Sequence, residues 1–527
     1  MSDPTNVSAR GEELVWCRLD SYLLAGIAAV GAAVWLWFAL STHITLEDAY
    51  ITFRYARNIA QGAGVVFNPG ERVLGTTTPL QTLLLALLGR AFGPEKIPTI
   101  GSLLMPLFGA ATGLLAYPTL LRFGLPRAGA VAGLLLFFLH PLVMRTSLGG
   151  METPLVLFLM SLCLYFISRR QSVGATAAVA LLALCRVDGL IWGALLVGAT
   201  LLSHYRRPLR QVFAFAAIVL PWIVFATHYF GNPAPNSMLA KGVIRPGREY
   251  LLVQPEHFHN LSRWYLSGTG FPINSPAFFF WLALLALGIY IIWRAQRREV
   301  RLLTLFPPIY ALLMYLGRAP MYQWYLLPML FCCLLVGGVG AGWLIALAAR
   351  KVTDRRLRLA GAVCALAILI PGLINLAGSL PRQIRHARLF QENEFGLRRG
   401  VGLWLLENTP QDATVAMEAI GYQGYFSQRR IIDMAGLVTP EVVKFKAATG
   451  SNGYLFQLIV NELQPDYIVL RSFEVDQNRH FNGGKLFEAD ADRQLFFLRY
   501  REAKRFTAPH PELAPLITHL TVYQRKR

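Results

Sequence analysis

Long apolar runs broken by short polar loops dominate the chain as far as residue 379. Windows of roughly 18 or more apolar residues recur, each long enough as a helix to cross about 30 Å of hydrocarbon. The pattern predicts spans over 21–43, 98–121, 127–146, 152–168, 172–186, 188–204, 210–230, 276–293, 302–316, 324–349 and 359–379. This describes a polytopic α-helical membrane protein with about eleven transmembrane helices on the usual length criterion. The run at 172–186 is short, which implies either little tilt or an outer end lying in a cavity below the lipid surface.

The loops set the threading. Short basic loops occur at 121–127 (LRFGLPR), 168–172 (SRRQS), 204–210 (HYRRPLR), 294–301 (RAQRREVR) and 350–358 (RKVTDRRLR). The positive-inside rule assigns all of them to the cytoplasm. The segments GGMETP, CRVDG, GNPAPNSMLAK and GRAPMYQ then face outward, as does the stretch after the first span. This works only if 79–93 (PLQTLLLALLGRAFG) is not a crossing. Fifteen residues of helix rise only about 22 Å, and Arg90 interrupts the run. It is therefore read as a helix at the outer surface, part of an outer loop over 44–97 with juxtamembrane helices. The N-terminus is then inside and the C-terminus outside. No small-x-small cleavage pattern follows the first apolar run, so that run is expected to be retained.

From residue 380 the pattern changes. LFQENEFGLRRGVGLWLLEN reads as an amphipathic helix. ATVAMEA, RRIIDMAG and PDYIVLRS are short apolar runs bounded by Gly, Pro and Asp, and read as strands. The division is a transmembrane module over 1–379 and an extracytoplasmic α/β or α+β domain over 380–527.

Composition agrees. The chain is 54% hydrophobic and 15% charged. Its formal charge of +20 would suggest nucleic acid in a soluble protein, but most of the excess lies in the short loops, so no nucleic-acid partner is expected. There are six cysteines, none of them after residue 379, which makes a disulfide framework unlooked-for.

Ionisable side chains beside membrane spans are costly unless they line water or meet a partner. On this topology they gather at the outer face: Glu47 and Asp48 after the first span, Glu152 in GGMETPL, Arg186 and Asp188 in LCRVDGL, Lys241 after PAPNSMLA, and Arg318, Tyr322 and Tyr325 in GRAPMYQWYLLP. A carboxylate pair can deprotonate a hydroxyl, and nearby cations can hold a departing phosphate. Such parts suit transfer of a group from a lipid phosphate to a hydroxyl outside the cytoplasm.

LEDAYITFRYARNIAQGAGVVFNPGERVLGTTTPL resembles the first outer loop of the GT-C glycosyltransferases, and most nearly the mycobacterial terminal arabinofuranosyltransferase family and its bacterial relatives. SLGGMETPL, CRVDGL, PNSMLAK and ATVAMEAIGYQGYFSQRRIIDMAGL continue the match in the family's order, from about residue 46 to 437. The resemblance implies a GT-C-like fold in the bacterial cytoplasmic membrane, a polyprenyl-phosphate-linked sugar donor, and a glycan or lipid-linked acceptor hydroxyl on the outer face. It also implies an essential acidic residue in the first outer loop. Asp48 matches the second acidic position and Glu47 the first, where relatives carry Asp; which of the two is the base stays open. A second departure is GTTTPL, where relatives often have an aromatic after the glycine.

Each candidate has a plainer reading beside it. Asp48 could cap the helix AYITFRYARNIAQ. Arg54 and Arg57, spaced three apart on that helix, could bind lipid headgroups at the interface or the donor phosphate. Asn68-Pro69-Gly70 reads as a turn. Glu152 could complement its helix dipole, and Arg186 with Asp188 could form a structural bridge. Lys241 and Arg318 are either outer-loop charges or donor-phosphate ligands. Tyr322, Trp324 and Tyr325 read as an interface belt as readily as a substrate wall. Tyr422, in EAIGYQGYFSQRR, is either strand–turn packing or a wall of the acceptor groove. No Cys/His set has metal spacing and no Walker-type loop exists, so a nucleotide-sugar donor is not expected. A divalent cation bridging acidic residues and phosphate stays open. The predicted activity is transfer of a sugar, arabinofuranose among the choices, from a polyprenyl-phosphate donor. The rival is a transporter or flippase for a lipid-linked saccharide, against which stand the lack of a repeat and the charges at one face rather than the midplane.

Overall fold

A computed structural model describes residues 16–201, 208–243, 276–295, 297–317, 322–350, 378, 380–449, 454–479, 485–513 and 517–526. Helix α1 (Arg18–Thr42) is followed by α2 (Glu47–Ala60), α3 (Pro79–Phe92) and α4 (Ile97–Arg122). Then come α5 (Arg127–Leu139), α6 (Pro141–Leu148), α7 (Thr153–Ser168), α8 (Ser172–Cys185), α9 (Gly189–Leu201), α10 (Pro208–Phe230) and α11 (Asn236–Val243). The bundle ends, among the described residues, with α12 (Pro276–Arg294), α13 (Leu302–Leu316) and α14 (Gln323–Arg350). The predicted span at 359–379 lies outside the described residues.

Five of these helices are long and apolar enough to cross a bilayer, or six if α5 and α6 count as one bent span. The helices at 153–168, 172–185, 189–198 and 278–294 are apolar but shorter. The single span expected over 127–146 is corrected: the chain breaks between α5 and α6, with a bend of 58°. The cause is Pro141, which lacks an N–H and drives His140 into an extended conformation (φ −71°, ψ 123°). Helix α3 has 14 residues. It packs Leu85 and Ala86 beside α2 and leaves Leu83 and Leu87 exposed.

Close packing in the bundle rests on small residues. Gly129 and Gly133 of α5 face Gly338, Val339 and Leu335 of α14, and a Cβ on Gly129 would come within 2.9 Å of the Val339 Cα. Two small-xxx-small stretches, GAVAG and GVGAG, thus bring two backbones together, a common way for helices to associate where lipid leaves no hydrophobic driving force.

Residues 380–526 carry a helix over 380–391 (α15), a π turn at Glu392–Gly396, α16 (Leu397–Asn408) and a five-stranded sheet. The expected strands are β1 (Thr414–Met417), β2 (Arg430–Asp433) and β3 (Tyr467–Arg471). Two more, β4 (Tyr500–Thr507) and β5 (His519–Arg525), complete the order β2-β1-β3-β5-β4. The first three strands are parallel and the last two antiparallel additions. One face of the sheet is covered by α16 through Leu397, Val401 and Leu405, together with Ile51, Tyr55 and Phe67 from the 44–97 segment. The other face packs on Val442, Phe456, Ile459 and Phe496. Helix α2 therefore belongs to the sheet's core as much as to the bundle.

Candidate active site

Leu46 is the N-cap of α2 and donates its N–H to the Gly149 carbonyl at 3.0 Å. The SLGGMETP turn is thus the seat of the helix. Gly150 has φ +81° in that turn, and its carbonyl accepts from Gln81 Nε2 at 2.8 Å. Glu47 and Asp48 occupy the first turn, where the helix dipole favours carboxylates. Asp48 is therefore not the N-cap.

Glu47 docks on the sheet domain. Glu47 Oε1 accepts a hydrogen bond from the Gly421 N–H, in the loop after β1. A Cβ on Gly421 would collide with the Glu47 carbonyl, so the approach needs glycine. Glu47 keeps some solvent contact. Even so, the protein packed around it holds its carboxyl well above the ordinary range, helped by the Asp48 charge and opposed by Arg398. Asp48 is half-buried, and its charge is felt by Glu47 and by Glu152. It stands between the sheet domain and a second polar cluster.

That cluster is built from four helix ends. Glu152 is the N-cap of α7 and Arg186 the C-cap of α8. Arg186 grips Asp188 with Nε at 3.0 Å and Nη2 at 2.5 Å, reaches the Trp324 carbonyl at 3.3 Å, and lies 3.8 Å from Glu152. Its guanidinium sits 4.5 Å over the Tyr325 ring. Tyr310 of α13 donates to Asp188 Oδ2 at 2.5 Å. The structural bridge between Arg186 and Asp188 is present, and it is also what gathers Glu152, Tyr310 and Tyr325 at one point. Sequence reasoning missed Tyr310; one of two tyrosines inside the apolar run LFPPIYALLMYL was the only signal.

Arg54 requires a correction. Its side chain is 2% exposed and all three nitrogens are committed. Nε donates to the Phe67 carbonyl at 2.9 Å, Nη1 to Gly424 at 2.6 Å, and Nη2 to Arg429 at 2.7 Å and Asn68 Oδ1 at 3.3 Å. Burial, then the Arg57 charge, pushes its pKa down to about 9. Four of its five N–H groups are taken up in this way, so Arg54 ties the 44–97 segment to the sheet domain. Arg57 likewise donates to the Tyr425 carbonyl at 3.0 Å.

Tyr422 is corrected too. It is 1% exposed, its hydroxyl lies 3.0 Å from Thr45 Oγ1, and its ring packs edge-on to Tyr50 at 4.8 Å. It offers no face to a sugar. Tyr322 is 40% exposed and stacks on Trp324 at 4.8 Å. Asn68 is more than a turn residue: its carboxamide pairs with both the N–H (3.0 Å) and the carbonyl (2.8 Å) of Ile431 on the edge strand β2.

Lys241 lies on α11, whose first residue is pinned at three points. The Asn236 N–H donates to Leu74, and Nδ2 donates to Gly436 at 2.7 Å and Leu437 at 3.2 Å. That loop is in turn organised by Asp433, which accepts from the N–H groups of Ala435, Leu437 and Val438. Burial pushes Asp433 up to about 7 against those bonds. The side chain of Lys241 and all of Arg318 lie outside the described residues. Among the described residues no group of three His, Cys, Asp or Glu side chains gathers as metal ligands would. A groove of about 710 Å³ runs between the end of α1 (Leu40–His43) and α15, where Arg385 and Arg388 line it.

The arrangement is a helical bundle joined through helix α2 to a small sheet domain. Two solved structures share it: ArnT from Cupriavidus metallidurans bound to undecaprenyl phosphate (TM-score 0.56, 13% identity, 95% of this chain and 98% of that one), and the same protein in the apo state (TM-score 0.56, 13% identity, 96% and 98%). At that identity the likeness concerns the fold and does not extend to the arabinofuranosyltransferase subfamily. Residues 382–523 match a family described as "Domain of unknown function (DUF8728)". No curated protein matches the sequence.

Proposed function

We propose that the chain is an integral membrane glycosyltransferase that moves a sugar from a polyprenyl-phosphate donor to a hydroxyl of a glycan or lipid-linked acceptor. The observation that carries this reading is Asp48: a half-buried carboxylate in the first turn of α2, between the docked Glu47 and the Glu152–Arg186–Asp188 cluster. ArnT, whose fold the chain shares, has been captured with undecaprenyl phosphate, which supports a donor of that lipid class.

Asp48 takes the proton from the acceptor hydroxyl. The acceptor oxygen bonds to the anomeric carbon of the donor sugar. The bond from that carbon to the phosphate oxygen breaks, and polyprenyl phosphate leaves with the electron pair. Glu47, whose carboxyl burial and the Asp48 charge hold above its ordinary range, fixes the helix turn to Gly421 and leaves the proton transfer to Asp48. Glu152, Arg186, Asp188 and Tyr325 orient the sugar; Lys241 and Arg318 draw off the leaving phosphate. Arabinofuranose or another furanose is the sugar the sequence resemblance favours. The positive-inside loops favour the bacterial cytoplasmic membrane, with α2 and the sheet domain on the extracytoplasmic side.

The test is reconstituted Asp48→Asn protein with a polyprenyl-phosphate sugar. A positioned base contributes about 10²–10⁴-fold, so turnover should fall by that factor with thermal stability kept. Normal turnover removes Asp48 from the role. Movement of labelled lipid with no new glycosidic bond, in the wild type, would make the chain a transporter instead.

A further inference from the structure

One arginine at the α2 seat stands apart from the rest. The other arginines buried around it have committed guanidinium groups: Arg54 and Arg57 to carbonyls, Arg186 to Asp188, and Arg398 to Glu394 at 2.8 Å. Arg145, on α6, has none. Its Nε is buried without a hydrogen-bond partner, and among the described residues it makes no hydrogen bond or ion pair. Its contact is the Phe390 ring, 5.0 Å below the guanidinium. Glu394 and Tyr422 are near enough to feel its charge, but Glu394 is already spent on Arg398.

Arg145 is half-buried, with Nε the part cut off from both water and a partner; that is costly, and a ring face offsets only part of the loss. The missing counter-charge is then a ligand, and its chemistry follows from the location. Arg145 lies one helical turn before Gly149, whose carbonyl seats the turn carrying Glu47 and Asp48. Helix α6 packs among α1, α4, α5, α7 and α14 of the bundle while the Phe390 ring of α15 lies against the guanidinium, so the anion arrives where the bundle meets residues 380–526. A lipid phosphate meets that condition, and a guanidinium fork suits its oxygens. The rings packed on Tyr422 are those of Tyr50 and Phe395.

We infer that Arg145 receives the phosphate of the lipid-linked donor, a role the sequence had assigned to Arg54. The inference rests on the proposed polyprenyl-phosphate chemistry. Binding of undecaprenyl phosphate and of uncharged undecaprenol to the full chain tests it, in wild type and Arg145→Met, alongside the thermal midpoint of the ligand-free proteins. The wild type should prefer the phosphate at least about tenfold, the size of one charge-assisted contact. Arg145→Met should lose that preference and melt no earlier than wild type, because no hydrogen bond or ion pair is removed and the methionine side chain can still pack on the Phe390 ring. A preference that survives in Arg145→Met overturns the assignment and leaves the donor reading standing. No preference in the wild type overturns both. A lower midpoint or a failure to fold in Arg145→Met means that Arg145 serves a partner inside the protein, and also overturns the inference.

Discussion

At the scale of single residues, the adjacent carboxylates differ in what holds them: Glu47 docks on the Gly421 N–H, and Asp48 lies half-buried beside it. Glu47 was legible as an anomaly, since a carboxylate at the end of an apolar run is costly without a purpose. Its purpose was not legible, because the partner Gly421 N–H is 374 positions away. The division gives a pH test. Glu47 has a folded pKa raised above its ordinary 4.5, by burial first and then by Asp48. A group raised in this way contributes stability that is complete below 4.5 and is lost as pH climbs through the folded value. Glutamine copies the neutral carboxyl and still offers Oε1 to Gly421. Glu47→Gln should therefore match the wild type near pH 4.5 and become progressively more stable than it towards pH 8, read as the difference in thermal midpoint. A difference that does not change with pH would show that Glu47 is ionised in the fold. Its turnover should stay within about tenfold of wild type, far from the loss expected for Asp48→Asn.

At the scale of elements, hydropathy located the helices well and their breaks poorly. The apolar run over 127–146 conceals the bend at Pro141, because lipid-facing composition continues through a break that only backbone chemistry sees. Strands β1, β2 and β3 were legible since their residues are buried and apolar. Strand β4 was not: apart from Tyr500 it is largely exposed, and YREAKRFT has no alternating apolar face to read. The turn that seats α2 is the element on which Asp48 depends most. Gly150 there has φ +81°, and a Cβ would meet the Phe53 ring at 2.8 Å. Left-handed backbone costs a residue with a Cβ roughly 1–2 kcal/mol, and the buried Phe53 must also move. Gly150→Ala should lower the thermal midpoint and reduce kcat while leaving donor KM nearly unchanged, because it shifts the base without touching a ligand. An unchanged kcat would show that the turn does not set the position of Asp48.

At the scale of the whole molecule, the boundary drawn at 379/380 follows composition, whereas the packing crosses it. Ile51, Tyr55 and Phe67 complete one face of a sheet whose strands all lie beyond residue 413, and Asn68 caps the edge of that sheet. No local pattern announces such a union, since it joins positions hundreds of residues apart. The same distance explains why the clamp made by Arg54 was not legible: its acceptors on Gly424 and Arg429 lie 370 and 375 positions away. Arg54 is the centre of this joint, and its chemistry separates joint from ligand. A phosphate ligand would tolerate lysine, which keeps the charge. A clamp on four separate acceptors would not, because one ammonium cannot reach them all. Each buried carbonyl left dry costs about 1–3 kcal/mol. Arg54→Lys should therefore lower the thermal midpoint nearly as far as Arg54→Met, with donor KM unchanged in whatever protein remains folded. An Arg54→Lys protein of wild-type stability with a raised donor KM would return Arg54 to the phosphate and leave the two parts of the molecule held by other contacts.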